Sequence, residues 1–212
     1  MSNRRSPQVS SRKRPQQARS TELVAAILEA AIQVLAKEGA QRFTTARVAE
    51  KAGVSIGSLY QYFPNKAAIL FRLQSDEWQQ TTQMLRGILE DVGKAPLERL
   101  RVLVQVFIQS ECAEAGMRVA LSDAAPLYRD APEAHAVKAQ GEQIFQAFML
   151  EVLPEAAQPV RDLASDLLTR TLGNVGKEFS ESPRTAAEIK AYADAMADMF
   201  CAYLTQLARG CD

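Results

Sequence analysis

Residues 44–63 read TTARVAEKAGVSIGSLYQYF, and this stretch decides the fold. Val48 and Ala52 are four residues apart and therefore share one face of a helix, which is expected to end at Gly53. Glycine readily takes the left-handed backbone conformation that a sharp turn requires. Ser55 is one of the residue types that cap the start of a helix. The stretch therefore predicts two short helices joined in a helix-turn-helix.

On either side of this motif the chain has the apolar spacing of amphipathic helices. Before it, apolar residues recur every three or four positions and stop at Gly39. After it, Pro64 ends the second motif helix, and Asn65 is expected to cap a long helix that runs to about Val92. No useful length of chain alternates with the period of two that marks a β-strand. The sequence predicts an all-α fold with helices near 23–39, 45–52, 56–62, 66–92, 96–112, 116–124, 132–153, 159–180 and 185–208.

Charge is divided unevenly along the chain, although 25 Lys and Arg balance 25 Asp and Glu. Residues 1–70 carry 11 basic and 4 acidic side chains. A basic segment joined to an acidic body suits docking on nucleic acid, since phosphate contacts supply much of the affinity. A basic tail that is merely solvated would give the same count. Residues 1–19 contain almost no apolar side chains, so they are predicted to form a flexible basic arm.

Cysteine and histidine usage gives no sign of a metal site or a disulfide framework. Cys112, Cys201 and Cys211 are odd in number and far apart, and the only histidine, His135, has no cysteine near it. We therefore expect no metal, no cofactor and a reducing cytoplasmic setting. Acidic residues interrupt the first apolar stretch, so no membrane segment is predicted. The sequence also lacks a glycine-rich phosphate loop and hydrolase motifs, so it is not expected to be an enzyme.

The region around the motif resembles the DNA-binding part of the TetR family of one-component transcriptional regulators. The resemblance covers residues 20–72, and beyond them only the layout is similar. It implies a three-helix DNA-binding head, residues 20–66, followed by a larger helical body for effector binding and dimerisation, residues 67–212. The matching residues are Phe43, Thr44, Thr45, Val48, Ala49, Ala52, Gly53, Val54, Ser55, Gly57, Leu59, Tyr60, Gln61, Tyr62, Phe63, Lys66 and Leu70.

The same resemblance implies which side chains of the motif contact DNA. Ile56 is apolar and is expected to contact a thymine methyl group. Tyr60 fits a phosphate contact and a core position equally well, whereas Phe63 fits the core better. The implied contacts are Thr44, Thr45 and Arg47 on the DNA backbone, Ser55, Ile56, Gly57, Ser58 and Gln61 in the major groove, and Tyr60, Tyr62 and Lys66 on phosphates.

The body is rich in bulky apolar side chains on several predicted helices. These suit an effector pocket and equally suit a plain core. Gly173 and Gly176 interrupt a predicted helix, which close packing, a kink or a ligand contact could explain. The wide apolar face of the last helix fits either a core or the dimer interface that the resemblance implies. The pocket candidates are Trp78, Met84, Phe107, Met117, Phe145, Phe148, Met149, Leu168 and Leu172, with Asn174 as a polar anchor.

These observations predict a homodimer that binds double-stranded DNA at a palindromic site. The resemblance favours a repressor that a small apolar or aromatic effector releases, without any membrane partner. A second hypothesis is an architectural or adaptor protein that binds DNA and needs no ligand. An effector pocket in the body would distinguish the two, because only the effector-controlled regulator requires one.

Overall fold

The computed structural model describes residues 8–11 and 18–210. Within these ranges the chain forms α-helices and one short 3-10 turn, Ala125–Leu127, and no β-strand, which confirms the predicted all-α class. None of these helices combines the length and apolarity needed to cross a bilayer. The helices are α1 (Ala18–Arg42), α2 (Thr45–Ala52), α3 (Ile56–Tyr62), α4 (Lys66–Leu89), α5 (Pro96–Ala113), α6 (Ala115–Ala124), α7 (Pro132–Val152), α8 (Gln158–Ser180) and α9 (Ala186–Arg209).

Two helix ends differ from the sequence prediction. Gly39 was expected to end α1, but it bends the helix instead. Its φ of 72° and ψ of 171° are not helical, and the residues after it return to helical geometry for a last turn to Arg42. The helix α4 ends at Leu89 rather than near Val92. Val92 is 91% exposed, so it offers no packing that could hold another turn.

The predicted caps are present around α3. Gly53 has a φ of 67° and a ψ of 28°, the left-handed conformation that ends α2. Ser55 Oγ accepts a hydrogen bond from the Ser58 backbone N–H at 3.0 Å, which satisfies a free donor in the first turn of α3. Asn65 Oδ1 accepts in the same way from the Ala68 N–H at 2.9 Å. The turn between α2 and α3 and the start of α4 are therefore fixed by local hydrogen bonds.

The chain packs as two compact units. The first consists of the described residues up to Gln79 together with Gly116–Lys138. The predicted functional boundary after residue 66 stays a prediction, and packing groups the residues differently. The first half of α4 and the helix α6 bury side chains in the same core as α1, α2 and α3. Its buried residues include Ile27, Leu35, Phe43, Val48, Leu59, Phe63, Leu70, Phe71, Ala120 and Leu121.

Polar contacts join α4 to the region of α6 inside this first unit. The single O–H of Tyr128 is shared between two acceptors, Leu121 O at 3.0 Å and Gln74 Oε1 at 3.2 Å. Burial, and secondly the charge of Glu77, raises the pKa of Tyr128, so this hydroxyl stays protonated and keeps its donor. Arg118 pairs with Glu77 at 2.8 Å, and both side chains are largely buried.

Part of the predicted flexible arm is packed. Val9 is buried in the core of the first unit, with 3% of its surface exposed. Asn65 Nδ2 donates to the Gln8 backbone carbonyl at 3.1 Å. The expectation that the arm has nothing to bury is therefore wrong at Val9, an apolar residue, whereas Gln8, Ser10 and Ser11 are exposed. Residues 1–7 and 12–17 lie outside the described residues.

The second unit consists of Gln80–Ala115 and the described residues from Ala139 onward. In it α5 packs against both α8 and α9. A Cβ added to Gly176 would lie 3.1 Å from Ile108 Cδ1 and 3.3 Å from Phe107 Cε1, so α8 approaches α5 closely there. This confirms close packing as the reason for Gly176. Gly173 has no atom within 4 Å of an added Cβ, and nothing in the structure explains it.

The two glycines of α8 make a matched test. Gly176→Ala should lower the free energy of unfolding by about 1–3 kcal/mol, because the new methyl group overpacks the contact with α5. Gly173→Ala should raise it by up to about 1 kcal/mol, because alanine is the better helix former and meets nothing. Urea unfolding of both variants measures the two changes. Equal effects of the two substitutions would contradict the close contact.

The packing of Val9 gives a second test. Val9→Ala should lower the free energy of unfolding by about 1–2 kcal/mol, because it removes two buried methyl groups. Gln8→Ala is the control, since the structure uses only the backbone carbonyl of Gln8 and leaves its side chain exposed. Deletion of residues 1–19 should then lower the thermal midpoint as well as DNA affinity. An unchanged midpoint would show that Val9 contributes no stability.

Candidate nucleic-acid interface

The core of the first unit decides which side of α3 faces outward. Leu59 and Tyr62 lie on one face of α3 and are buried. Successive residues of an α-helix are turned by about 100°, so the residues between and before them project from the unit. Ser58 is half-buried, and its Oγ lies 2.9 Å from Ser55 Oγ. The exposed residues are Ser55, Ile56, Gly57, Tyr60 and Gln61, all of them members of the predicted DNA-contacting set.

Tyr60 joins α3 to α2 at the surface. Its hydroxyl lies 3.0 Å from Thr45 Oγ1, and 40% of the residue is exposed. Of the two alternatives for Tyr60, the exposed position is the one that the structure has. Two residues that the sequence assigned separately to the DNA contact are thus neighbours at one edge of the helix-turn-helix.

Thr44 and Arg47 both have roles inside the chain. Thr44 caps α2, because its Oγ1 accepts from the Arg47 backbone N–H at 3.3 Å. The Arg47 guanidinium pairs with Glu38 and donates to Arg42 O at 3.1 Å. These contacts tie the first turn of α2 to the last turns of α1. The predicted contact of Arg47 with the DNA backbone stays a prediction, and its side chain is still about half exposed.

The structure places Tyr62 differently from the sequence prediction. Tyr62 was assigned to a phosphate contact, but only 6% of the residue is exposed. It lies three residues after Leu59 and therefore on the same buried face of α3. Its side chain belongs to the core, and its contact with a phosphate stays a prediction. Lys66, the first residue of α4, is half-buried.

Gly57 differs from Gly53 in what the fold demands of it. An added Cβ at Gly57 would meet only Ser55 Oγ, at the ordinary contact distance of 3.7 Å. Gly53 instead needs glycine, because its φ of 67° strains any side chain. Packing within the chain therefore does not require glycine at position 57. Without a side chain there, another molecule can approach the backbone of α3 closely at its exposed face.

Two exposed basic residues at the ends of the first two helices lie outside the predicted DNA-contacting set. Arg42 lies in the last turn of α1 and Lys51 in the last turn of α2. The excess of positive charge in residues 1–70 was the signal that could have included them. Their exposure adds to the positive charge that the first unit presents.

The structure separates the predicted effector-pocket residues into groups. Trp78 and Met117 pack against the core of the first unit. Asn174 is exposed, because it lies two residues before the inward-facing Gly176 and so about 200° around α8. Asn174, the predicted polar anchor, therefore does not lie with the other pocket candidates. The remaining seven lie in or against the core of the second unit: Met84, Phe107, Phe145, Phe148, Met149, Leu168 and Leu172.

Comparison with known families agrees with the geometry of the first unit. Residues 27–73 match the family described as bacterial regulatory proteins of the tetR family. Residues 95–207, more than half of the chain, match the tetracyclin repressor-like C-terminal domain. The chain belongs to the tetR family. The helix-turn-helix of α2 and α3 lies within the residues that match the regulatory-protein family.

Curated relatives of this TetR-family chain include nucleoid occlusion factors. The factor SlmA of Vibrio campbellii is 33% identical over 105 residues, which are 49% of this chain and 53% of that protein. SlmA of Photobacterium profundum is 36% identical over 83 residues, 39% of this chain and 42% of that protein. The chain thus spans about half the length of the curated relatives it matches.

Solved structures similar to this TetR-family chain match it over most of its length. The fatty acid degradation regulator FadR of Bacillus halodurans has a TM-score of 0.68 at 18% identity, covering 89% of this chain and 97% of that one. FadR of Bacillus subtilis, solved with stearoyl-CoA, has 0.67 at 17%, covering 84% and 97%. AmtR of Mycobacterium smegmatis has 0.58 at 22%, covering 93% and 96%. These likenesses show a shared fold.

The contrast between Gly57 and Gly53 can be measured. Gly57→Ala should leave the free energy of unfolding unchanged or raise it by up to about 1 kcal/mol, since alanine favours the helix and meets no neighbour. Gly53→Ala should lower it by about 1–2 kcal/mol because of its positive φ. We expect Gly57→Ala to weaken DNA binding nonetheless. Full DNA affinity in the Gly57 variant would show that α3 does not approach DNA at this residue.

Proposed function

We propose that this TetR-family regulator is a repressor that binds a palindromic operator as a homodimer and is released by a small apolar effector. The observation that carries the proposal is the outward face of α3. This face is exposed, and its side chains are polar except for Ile56. Gly57 has no side chain there, although packing within the chain does not require glycine. Such a helix suits the major groove, whose base edges hydrogen-bonding side chains can read.

Within this proposal the residues of the motif divide by what they touch. Gln61 is exposed and can bond an adenine through its amide, and Ile56, 41% exposed, can meet a thymine methyl group. Tyr60 and Lys66 would contact phosphates, which positions the helix without reading sequence. The DNA partner makes the cytoplasm the place of action in this proposal.

A second copy of the chain would pair through the last two helices. Leu163 and Leu167 are four residues apart on α8 and remain 64% and 46% exposed, and Met199 on α9 is 53% exposed. Large apolar side chains on neighbouring helices favour burial against a partner. Two recognition helices in such a dimer would read half-sites about 34–36 Å apart, one turn of DNA.

The core of the second unit supports an apolar effector. Its seven pocket candidates include three phenylalanines and two methionines, which are soft or aromatic groups that suit apolar ligands. FadR of Bacillus subtilis, whose fold is similar, was solved with stearoyl-CoA. A ligand that binds better to the arrangement of the dimer that does not fit DNA would shift the regulator away from DNA.

The similarity to SlmA proteins favours a second candidate function. Those relatives are described as nucleoid occlusion factors, and one of them is 33% identical to this chain over 105 residues. On this alternative the chain binds DNA and serves as an architectural or adaptor protein without an effector. The two functions differ in whether any small molecule changes DNA affinity.

The test of the proposed function is release from the protein's own operator. The operator is first recovered by sequencing of DNA bound in cells, and neutral lipophilic or aromatic compounds are then titrated against the complex. Release by apolar compounds supports the repressor. Release by none of them would contradict the repressor and favour the adaptor. Release only by strongly charged metabolites would contradict the apolar effector.

The proposed division of contacts is tested by substitution. Lys66→Ala should weaken binding to all sequences alike and reduce the slope of log affinity against log salt by about 1, because one phosphate contact is lost. Gln61→Ala should instead cost about 1–3 kcal/mol against the preferred base at one position. Tyr62→Phe removes the hydroxyl and keeps the buried ring, so it tests a phosphate contact of that hydroxyl without disturbing the core. Altered base preference in the Lys66 variant would show that its assigned role is incorrect.

A further inference from the structure

Arg99, near the start of α5, is a buried cation in an apolar core. Only 2% of it is exposed, and its immediate chain neighbour Leu100 is also buried. Its guanidinium lies 5.8 Å from the centre of the Phe148 ring. A buried arginine is costly unless its charge and its N–H donors are satisfied. Its partners therefore decide what this residue does.

On one edge of the Arg99 guanidinium, only one of the two nitrogen donors has a hydrogen-bond partner. Nη1 donates to Leu89 O at the end of α4, and Nη2 pairs with Glu151 on α7. Nε is buried and has no hydrogen-bond partner. Nε and Nη2 point from the same edge of the guanidinium, the edge that can hold both oxygens of a carboxylate. Here Glu151 occupies only one of these two donors.

Glu151 is the exposed member of the pair. Its side chain is 47% exposed, against 2% for Arg99. The Glu151 carboxylate would be solvated by water if it turned away, whereas Arg99 would stay buried and would need another anion in its place. Such a movement would open the Nε and Nη2 edge from the surface. The central carbon of the Arg99 guanidinium lies over the Phe148 ring, and Leu89 and Leu153 are buried in the same core.

We propose that Arg99 anchors an amphiphilic carboxylate, with the ligand's two oxygens on Nε and Nη2 in place of Glu151 and its apolar part in the core of the second unit. This rests on the proposed function, because it specifies the chemistry of the effector. A carboxylate satisfies the unpaired donor and keeps the buried charge neutralised, and an apolar chain suits the side chains around Phe148.

The first experiment measures direct binding to the full chain without DNA, by isothermal titration calorimetry. The probes are decanoate, 1-decanol as an uncharged ligand of the same chain length, and acetate as the charge without the chain. Decanoate should bind at least about tenfold more tightly than decanol, the order expected when a charge-assisted bidentate contact is added. Acetate should not bind measurably. Equal binding of decanoate and decanol, or no binding of decanoate, would overturn the proposal.

Two variants then separate anchoring from a purely structural role. Arg99→Lys keeps a positive charge but loses the two-donor edge, so decanoate affinity should fall at least about tenfold while decanol affinity stays unchanged. Glu151→Gln removes the competing carboxylate, so decanoate should bind more tightly than to the original protein. Glu155→Gln is the matched control, because it removes an equal, exposed charge four residues away.

The decisive result is that decanoate affinity falls in Arg99→Lys and rises in Glu151→Gln. If the Arg99 and Glu151 pair only holds helices together, both variants should weaken decanoate and decanol alike, and that result would overturn the anchor. If Arg99→Lys does not fold, the gain expected in Glu151→Gln still decides. Decanoate that binds as described but leaves DNA bound would support the anchor and contradict effector release. Release of DNA by apolar compounds, equally with and without a charged group, would support effector release and contradict the anchor.

Discussion

Burial of Leu59 and Phe63 at α3 is the constraint on which the rest of the DNA-binding part depends. Both have at most 1% of their surface exposed, and they share a core with Val48 of α2 and with Ile27 and other residues of α1. A seven-residue helix is too short to be stable alone, so this packing holds it in place. The same burial sets its rotation, and rotation decides which side chains reach a partner.

The helix-turn-helix shares its core with a part of the chain that lies far along the sequence. The region of α6 and Tyr128 packs in the first unit through apolar residues and through a hydrogen bond from Tyr128 to Gln74. Hydrogen bonds of this kind are directional and so specify one arrangement, where apolar contact alone would allow several. The segment between α5 and α7 is therefore part of the unit that holds the DNA-binding motif.

The second unit contains two residues that are unfavourable at their positions, Gly176 inside a helix and Arg99 in an apolar core. Gly176 lowers helix propensity in α8, and the gain is a close approach to Phe107 and Ile108 of α5. Arg99 costs free energy by its burial, and its bonds to Leu89 and Glu151 offset only part of that cost because Nε has no partner. Residues that break a local rule are expected where packing or binding compensates them.

The sequence by itself determined the all-α class, the helix-turn-helix and its caps, because these depend on residues within a few positions of one another. Gly53, Ser55 and Asn65 act locally and were predictable for that reason. Only the tertiary structure decided that Tyr62 and Val9 are buried, that Asn174 is exposed, and that Arg99 meets Glu151. Those outcomes depend on which distant surfaces meet, and the spacing of apolar residues along one helix does not specify its neighbours.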